Sequence, residues 1–302
     1  LYALCSQLVG VQMALKLCAS EELKRSYLPR MIRGELMTAH CFTERNAGSD
    51  AYSMETEAIE DAGEYVLHGA KCFVTNAPHA HAGLVFAKTM KDRHPFGLSV
   101  FMVDTSWPGV RVGESFEKLG LRTVHMGELI FENVRVPRSH LVGRVGAGLS
   151  VLTESTGYER ALLLATALGP MARAVDECVK RARARWQFER PIGAFQGVSI
   201  RVANMIMRQR LSRMTIYDMA SKLKDGAPIG KYVQDAAITK LFVSENFIKT
   251  EMDALQIFGV RGYLLESFAQ QDLRDALSST IWAGTDETLR NTIAKMAGLP
   301  VL

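Results

Sequence analysis

The chain has 302 residues, of which 48% are apolar and 23% are charged, and its formal net charge is +4. This composition is typical of a globular protein with a large buried core and excludes an intrinsically disordered chain. Lys and Arg residues are spread along the sequence apart from residues 180–185, so the modest positive charge does not indicate a nucleic-acid-binding protein.

The first 36 residues predict two helices that end an N-terminal helical domain. Ser20 is a suitable N-cap for the second helix, because Glu21 and Glu22 follow in its first turn, where the helix dipole favours acids. Gly34 marks the end of this helix. Because the chain begins at Leu1 inside an apolar helical pattern, we expect that the rest of the domain is missing.

Residues 37–142 have a different sequence pattern, which predicts a β-domain. Short β-branched and aromatic runs alternate there with Gly, Pro, Asn and Asp. From 143 to 302 the apolar residues again recur every three to four positions, which predicts long helices near 150–187, 196–223 and 228–257. A final helix should begin at Thr285 and end at Gly298. The predicted class is therefore α+β, with helices on either side of a β-domain.

Several potential signals are weak. The five cysteines are odd in number and lack metal-type spacing, which indicates reduced core residues. Glycines 143, 146 and 148 precede a predicted helix, but no βαβ unit completes a dinucleotide-binding site. His79 and His81 have no evident third ligand, so we predict no metal site. With no membrane span and no signal peptide visible, we predict a cytoplasmic protein.

Four stretches of sequence carry a more specific signal. They are residues 41–50 (CFTERNAGSD), 73–76 (FVTN), 185–188 (RWQF) with 195–196 (FQ), and 256–259 (QIFG) with 273–276 (LRDA). In this order they resemble the acyl-CoA dehydrogenase family across nearly the whole chain. The resemblance implies a central β-barrel or sandwich domain, a C-terminal four-helix bundle and an FAD cofactor.

The resemblance also directs attention to residue 283. Most of the family carries its catalytic glutamate just before a Gly-Thr pair, where this chain has Ala283. A minority, including isovaleryl-CoA dehydrogenases, places it on an earlier helix, directly before an arginine, as in Glu159-Arg160. The resemblance therefore implies that Glu159 is the catalytic base, while Trp282 lines the acyl pocket. Burial beside a flavin would raise the pKa of such a carboxyl and make it an effective base. The alternatives for Glu159 are an exposed helix acid or a partner for a nearby basic residue, and the alternative for Trp282 is core packing.

The resemblance assigns two groups of residues to FAD. Phe42 and Thr43 would contact the flavin ring through the main chain, Gly48 and Ser49 would lie near the pyrophosphate, Phe73 would stack on the ring, and Thr75 would donate a hydrogen bond to it. The second group would hold the cofactor of a neighbouring subunit or meet FAD near the last helix. It comprises Arg185, Phe188, Gln196, Gln256, Gly259, Thr285 and Glu287. The resemblance therefore implies that the protein forms a homodimer or a homotetramer.

Three positions depart from the family pattern: Arg45 replaces a usual proline, and Glu189 and Val260 replace usual glycines.

The predicted reaction is the α,β-dehydrogenation of an acyl thioester. Side chains cannot accept hydride, whereas a flavin can. The acyl group would be carried by CoA or by a carrier protein, since residues 74–78 and 293–299 also resemble prolyl-carrier-protein dehydrogenases. Electrons would pass to an electron-transfer flavoprotein or to oxygen. A flavin-dependent monooxygenase or oxidase and a non-catalytic FAD-binding protein are the alternatives.

Overall fold

A computed structural model describes residues 1–90, 94, 96–224 and 226–301. The chain divides into two compact units, Leu1–Glu117 with Arg122–Glu159, and Lys118–Leu121 with Arg160–Leu302. The predicted domain boundaries after residues 36 and 142 stay a prediction. Residue 302, the last residue of the predicted C-terminal domain, lies outside the described part of the chain.

The first unit begins with helices. Helix α1 (Tyr2–Ser6), a π-helical turn (Gln7–Gln12) and helix α2 (Met13–Cys18) follow one another directly, and α3 spans Glu21–Ile32. The predicted cap of α3 is present, because the Leu23 amide donates a hydrogen bond to the Ser20 hydroxyl at 3.2 Å. Gly34 follows the helix in a left-handed conformation.

The predicted β-domain is a single seven-stranded sheet. Its strands are β1 (Thr38–Cys41), β2 (Glu57–Asp61), β3 (Glu64–Thr75), β4 (Ala82–Lys88), β5 (Leu98–Asp104), β6 (Val110–Ser115) and β7 (Met126–Pro137). The order is β1–β4–β2–β3–β7–β6, with β5 also beside β4. Pairing is antiparallel except that β4 runs parallel to β1 and β2.

Strand β4 separates two hydrophobic cores within this unit. Leu84 and Phe86 pack with the N-terminal helices, whereas Val85 and Ala87 pack in a second core with Phe101. Successive strand residues point to opposite faces, so a strand covered on both sides is apolar throughout. This explains why the sequence 82–88 does not alternate between apolar and polar residues.

The second unit is helical. Helix α4 (Gly148–Leu162) contains the boundary between the units. It is followed by α5 (Leu168–Ala184), strands β8 (Trp186–Gln187) and β9 (Arg190–Pro191), α6 (Gln196–Leu223), α7 (Val233–Phe258), α8 (Val260–Tyr263), α9 (Phe268–Leu277) and α10 (Asp286–Met296). Helices α5, α6, α7 and α9 pack together, and α10 packs on α7. The predicted last helix is present, with Thr285 as its N-cap.

The prediction of one helix over 150–187 is wrong. Residues 163–167 form a 3₁₀ turn that separates α4 from α5. Pro170 explains the break, because proline lacks an amide proton and is tolerated only in the first turn of a helix, where Pro170 lies in α5. Similarly, the helix predicted from 228 begins with a 3₁₀ turn, Ile229–Tyr232. Among the described residues, no helix combines the length and apolar character needed to cross a membrane.

The turn between β8 and β9 is strained. Its two residues, Phe188 and Glu189, both have positive φ, 48° and 63°, as a type I′ turn requires and as residues with a Cβ resist. We expect Glu189→Gly to raise the free energy of unfolding by about 1 kcal/mol, measured by thermal unfolding. Glu189→Ala is the control for loss of the charge; an equal gain in that variant would contradict the explanation by backbone strain.

Candidate active site

Glu159 lies in the last turn of α4 and is only 8% exposed. Its carboxylate faces the N-terminal helices of the same unit: a Cβ placed on Gly10 would lie 2.6 Å from Oε1. Burial, and then the negative charge of Glu159, raise the pKa of Tyr2 well above its ordinary value. The structure therefore places this carboxylate in a buried position close to a phenol, and the interpretation as an exposed helix acid is wrong.

One turn earlier on α4, Ser155 contacts a histidine of strand β1. Ser155 is fully buried, and its Oγ lies 3.0 Å from Nε2 of His40 on β1. Ser155 and Glu159 are four residues apart and therefore share a helix face. Burial lowers the pKa of His40 to about 4, so its ring is neutral at neutral pH. His40 therefore contributes no positive charge beside Ser155 at neutral pH.

Glu154 has different neighbours. Burial raises the pKa of its carboxyl, and the charge of Glu154 in turn adds to the burial that raises the pKa of Cys18 on α2. Glu154 is five residues from Glu159, about 140° around the helix. The two acids are thus separate sites, and Glu154 serves as a matched control for Glu159.

The first group of predicted FAD residues lies together at the end of β1 and on β3. The Cys72 amide donates to the Thr43 carbonyl at 2.8 Å, which places the loop after β1 beside β3. Phe73 sits on an irregularity in the pairing of β3 with β7, with φ of 57° and half of its surface exposed. Its ring packs against Phe116 at 5.2 Å and is available as a platform for a planar ligand. Thr75 ends the same strand.

A buried ion pair fixes the loop that carries Phe42 and Thr43. The ammonium of Lys71 donates to a Glu44 carboxylate oxygen at 2.6 Å and to the Phe42 carbonyl at 3.2 Å. Lys71 is fully buried and Glu44 is 7% exposed. Gly48 and Ser49 follow in an exposed turn. Arg45, at the usual proline position, pairs with Glu114 and Glu128, so its departure from the family pattern has a clear structural role.

One residue of the second group, Arg185, lines a basic pocket in the helical unit. The pocket has a volume of about 370 Å³ and is lined by Glu177, Lys180, Arg181, Ala184, Arg185, Phe258 and Arg261. Burial, followed by the positive charges of Arg261 and Arg185, lowers the pKa of Arg181. Three guanidinium groups thus repel one another, an arrangement that an anionic group such as a phosphate would relieve.

Two further residues of this group, Gln256 and Gly259, flank the chain segment that contributes Phe258 to the pocket. Arg181 donates to the carbonyls of Ile257 and Phe258 and so fixes the end of α7, next to Gln256 and Gly259. Phe188 and Phe195, the residue before Gln196, have ring centroids 6.1 Å apart. Gly259 has a left-handed φ of 61°, whereas Val260 begins α8. The left-handed position therefore falls on the glycine that is present.

The turn that carries Ala283 is held by two cations within the helical unit. Arg160 donates from Nε to the Ala283 carbonyl at 2.8 Å, and Lys240 donates to the Gly284 carbonyl at 3.0 Å. Lys240 also pairs with Asp286 at 2.9 Å and lies 5.7 Å from the centre of the Trp282 ring. The turn is well anchored, but the methyl group of Ala283 offers no acid or base.

Thr285 and Glu287 participate in capping the last helix. The Thr285 hydroxyl accepts a hydrogen bond from the Thr288 amide at 3.3 Å. A backbone hydrogen bond, and then the Thr285 side chain, lower the pKa of Glu287. These contacts account for both residues within the chain, and their predicted contact with FAD stays a prediction.

The two histidines considered as metal ligands have other contacts. The Met37 amide donates to Nδ1 of His81 at 3.0 Å, and the His79 ring packs edge-on against His125. No group of three potential metal ligands occurs within residues 1–90, 94, 96–224 and 226–301.

Comparison with known proteins decides the family. Residues 39–134 match the model of the acyl-CoA dehydrogenase middle domain, and residues 146–298 match that of the C-terminal domain. The chain belongs to the acyl-CoA dehydrogenase family. An acyl-CoA dehydrogenase of Bacillus subtilis is 37% identical over 276 residues, which cover 91% of this chain and 72% of that protein.

Two further similarities are to a dehydrogenase that acts on a carrier protein and to a solved structure of an FAD complex. An L-prolyl-[peptidyl-carrier protein] dehydrogenase of Serratia sp. is 34% identical over 99% of this chain and 76% of its own length. The structure described as the FAD complex of PigA has a TM-score of 0.94 at 34% identity, covering 99% of this chain and 77% of that one. Family membership confirms the predicted fold class, an oxidoreductase acting on CH–CH bonds, and FAD as cofactor.

The residues present fit an FAD. An exposed aromatic ring on β3 suits the flavin, and the arginine-rich pocket suits phosphate.

We expect Arg185→Gln to weaken FAD binding about 10- to 100-fold, because it would remove the predicted charge-assisted contact of Arg185 with a phosphate of FAD. Flavin fluorescence during titration measures this loss. Lys180→Gln is the control, since Lys180 lines the same pocket but pairs with Glu177 at 2.7 Å; equal loss in both variants would contradict a specific role for Arg185.

Three residues that contact this part of α4 were not predicted from sequence. Tyr2 and Gly10 lie beside Glu159, and His40 lies beside Ser155. A glycine inside an apolar helical pattern is a recognised signal of close packing, so Gly10 could have been noticed. Nothing in the local sequence distinguishes Tyr2 or His40 from ordinary core residues.

Proposed function

We propose that this protein catalyses FAD-dependent α,β-dehydrogenation of an acyl thioester, with Glu159 as the base that removes the α-proton. The observation that carries the proposal is the buried carboxylate of Glu159. Family membership and the lack of an acid at Ala283 support it. Desolvation favours the protonated form of a carboxyl and so makes its carboxylate a stronger base.

The chain's residues have distinct roles in this reaction. Glu159 takes the proton from the α-carbon, and the electrons of that C–H bond form the new C=C bond. When bound, FAD would supply the acceptor for the hydride from the β-carbon. Gly10 and the Tyr2 phenol lie next to the carboxylate of Glu159. His40 is neutral and adds no positive charge. Arg160 fixes the turn at Ala283, and Phe42, Thr43, Gly48, Ser49, Phe73 and Thr75 orient the flavin.

The acyl carrier is CoA or a carrier protein, because both present the same pantetheine thioester. Similarity to a prolyl-carrier-protein dehydrogenase supports the second. We further propose that electrons pass to an electron-transfer flavoprotein or to oxygen. The protein forms a homodimer or homotetramer, in which the FAD of a neighbouring copy is held by Arg185, Phe188, Gln196, Gln256 and Gly259. We also propose that the protein is cytoplasmic.

The test is anaerobic titration of the FAD-loaded protein with acyl-CoAs and with acyl and prolyl carrier-protein thioesters. We expect one of them to bleach the flavin absorbance and to become a product two mass units lighter, which identifies the carrier. Bleaching by no thioester, with FAD still bound, would overturn the proposal. It would leave oxygen chemistry, as in a monooxygenase or oxidase, or a non-catalytic role.

A further inference from the structure

The turn that faces Glu159 leaves no space for a side chain. Gly10 is buried in the π-helical turn Gln7–Gln12. A Cβ at this position would lie 2.6 Å from Oε1 of Glu159 and 3.3 Å from its carboxyl carbon. Contacts this short do not occur, so a side chain at residue 10 would displace the carboxylate, which is the movable end of a flexible side chain.

Glycine at this position needs a reason, because it destabilises a helix interior relative to alanine. Its φ is not positive, so the backbone conformation does not require glycine. The contact with Glu159 supplies the reason. The turn is also π-helical, a rare form that occurs frequently at functional sites.

We propose that Gly10 is a positioning residue for the catalytic base: its missing side chain determines where the Glu159 carboxylate rests. This inference depends on the proposed role of Glu159. Gly10 acts through Glu159 and takes no part in the proton transfer itself. Tyr2, on α1 of the same N-terminal segment, lies close enough for the charge of Glu159 to raise its pKa. The N-terminal segment thus contributes two residues to the surroundings of the base.

The kinetic test combines Gly10→Ala with a shorter base. Gly10→Ala should lower the limiting rate of flavin reduction by a thioester about 10- to 100-fold, because a misplaced catalytic group is that costly, while the thioester dissociation constant stays nearly constant. Glu159→Asp withdraws the carboxylate by one methylene. Adding Gly10→Ala to Glu159→Asp should therefore cost much less than it does in the native chain. Gly169→Ala is the control, since nothing lies within 4 Å of its Cβ position.

A second readout needs no turnover. In the Glu159→Ala background, Gly10→Ala should raise the thermal midpoint, because only the better helix propensity of alanine remains. In the native chain the same change should raise it less or lower it. Equal shifts of the midpoint in these two backgrounds would overturn the inference. So would a rate loss from Gly10→Ala that is as large in the Glu159→Asp background as in the native chain.

The two proposals fail separately. If Glu159→Gln reduces flavin at the native rate, the proposed function is wrong. If Glu159→Gln is inactive while Gly10→Ala reduces flavin normally, the role of Gly10 alone is wrong.

Discussion

Replacing Glu159 with glutamine should slow flavin reduction by the thioester substrate about 10²- to 10⁴-fold, the usual contribution of a general base. Glutamine keeps the size and shape of the side chain, so the space beside Gly10 is filled as before. It removes only the ability to accept the α-proton. Stopped-flow absorbance under anaerobic conditions gives the rate, and flavin content confirms that the cofactor remains bound.

Glu154→Gln is the matched control for this prediction. Glu154 lies on the same helix and is also partly buried, but it lies near Cys18. We expect less than a tenfold change in the rate for this variant. A large loss in Glu154→Gln with little loss in Glu159→Gln would exchange the two roles and contradict the present assignment.

The second large effect concerns a buried acid in the helical unit. Glu251 on α7 is fully buried, and within the described chain neither carboxylate oxygen has a hydrogen-bond partner. Burial, and then the charge of Asp272, raise its pKa to about 9, although Arg173 acts in the opposite direction. Arg173 is engaged with Asp272, to which it donates at 2.6 Å. Glu251 is therefore protonated in the folded protein at neutral pH.

The sign of the pH effect follows from proton linkage. Below the ordinary glutamate pKa both states hold the proton, and Glu251 costs no ionisation energy. As pH rises towards 9 the unfolded chain ionises while the folded chain does not, so stability falls by about 1.4 kcal/mol per pH unit. Glu251→Gln removes this loss. We expect it to stabilise the protein by about 3 kcal/mol more at pH 8 than at pH 5.5, measured by denaturant unfolding.

Glu245→Gln is the control on the same helix and should behave in the opposite way. Although partial burial acts to raise the pKa of Glu245, Lys249 and Arg290 lower it. Its removal should therefore cost a little stability above the ordinary glutamate pKa. A Glu251→Gln variant with the same pH dependence as the native protein would show that Glu251 is ionised or hydrated when folded.

Local signals in the sequence were sufficient for much of the fold. Ser20 and Thr285 are N-caps because their chemistry acts on the next three residues. The β-domain follows from turn residues between short β-branched runs. The break between α4 and α5 was missed because periodicity continues through residues 163–167, while the break that Pro170 causes falls one turn before it.

The surroundings of the site were harder to predict, because they depend on contacts between distant residues. Glu159 was predicted through the family resemblance, from its neighbour Arg160 and the absence of an acid at residue 283. Its contact with Gly10 joins residues 149 positions apart, and no local pattern encodes it. Glu251 was missed for the same reason: its position on α7 predicts its helix, but only packing against α5 and α9 determines its burial.

The central claim, that Glu159 removes the α-proton, is tested most directly by exchange with solvent deuterium. The FAD-loaded protein is incubated anaerobically in D₂O with a bound thioester, and deuterium at the α-carbon is measured by mass spectrometry. The native chain and Glu154→Gln should incorporate deuterium, while Glu159→Gln should remain at the background rate. Exchange in Glu159→Gln at the native rate would show that another group takes the proton.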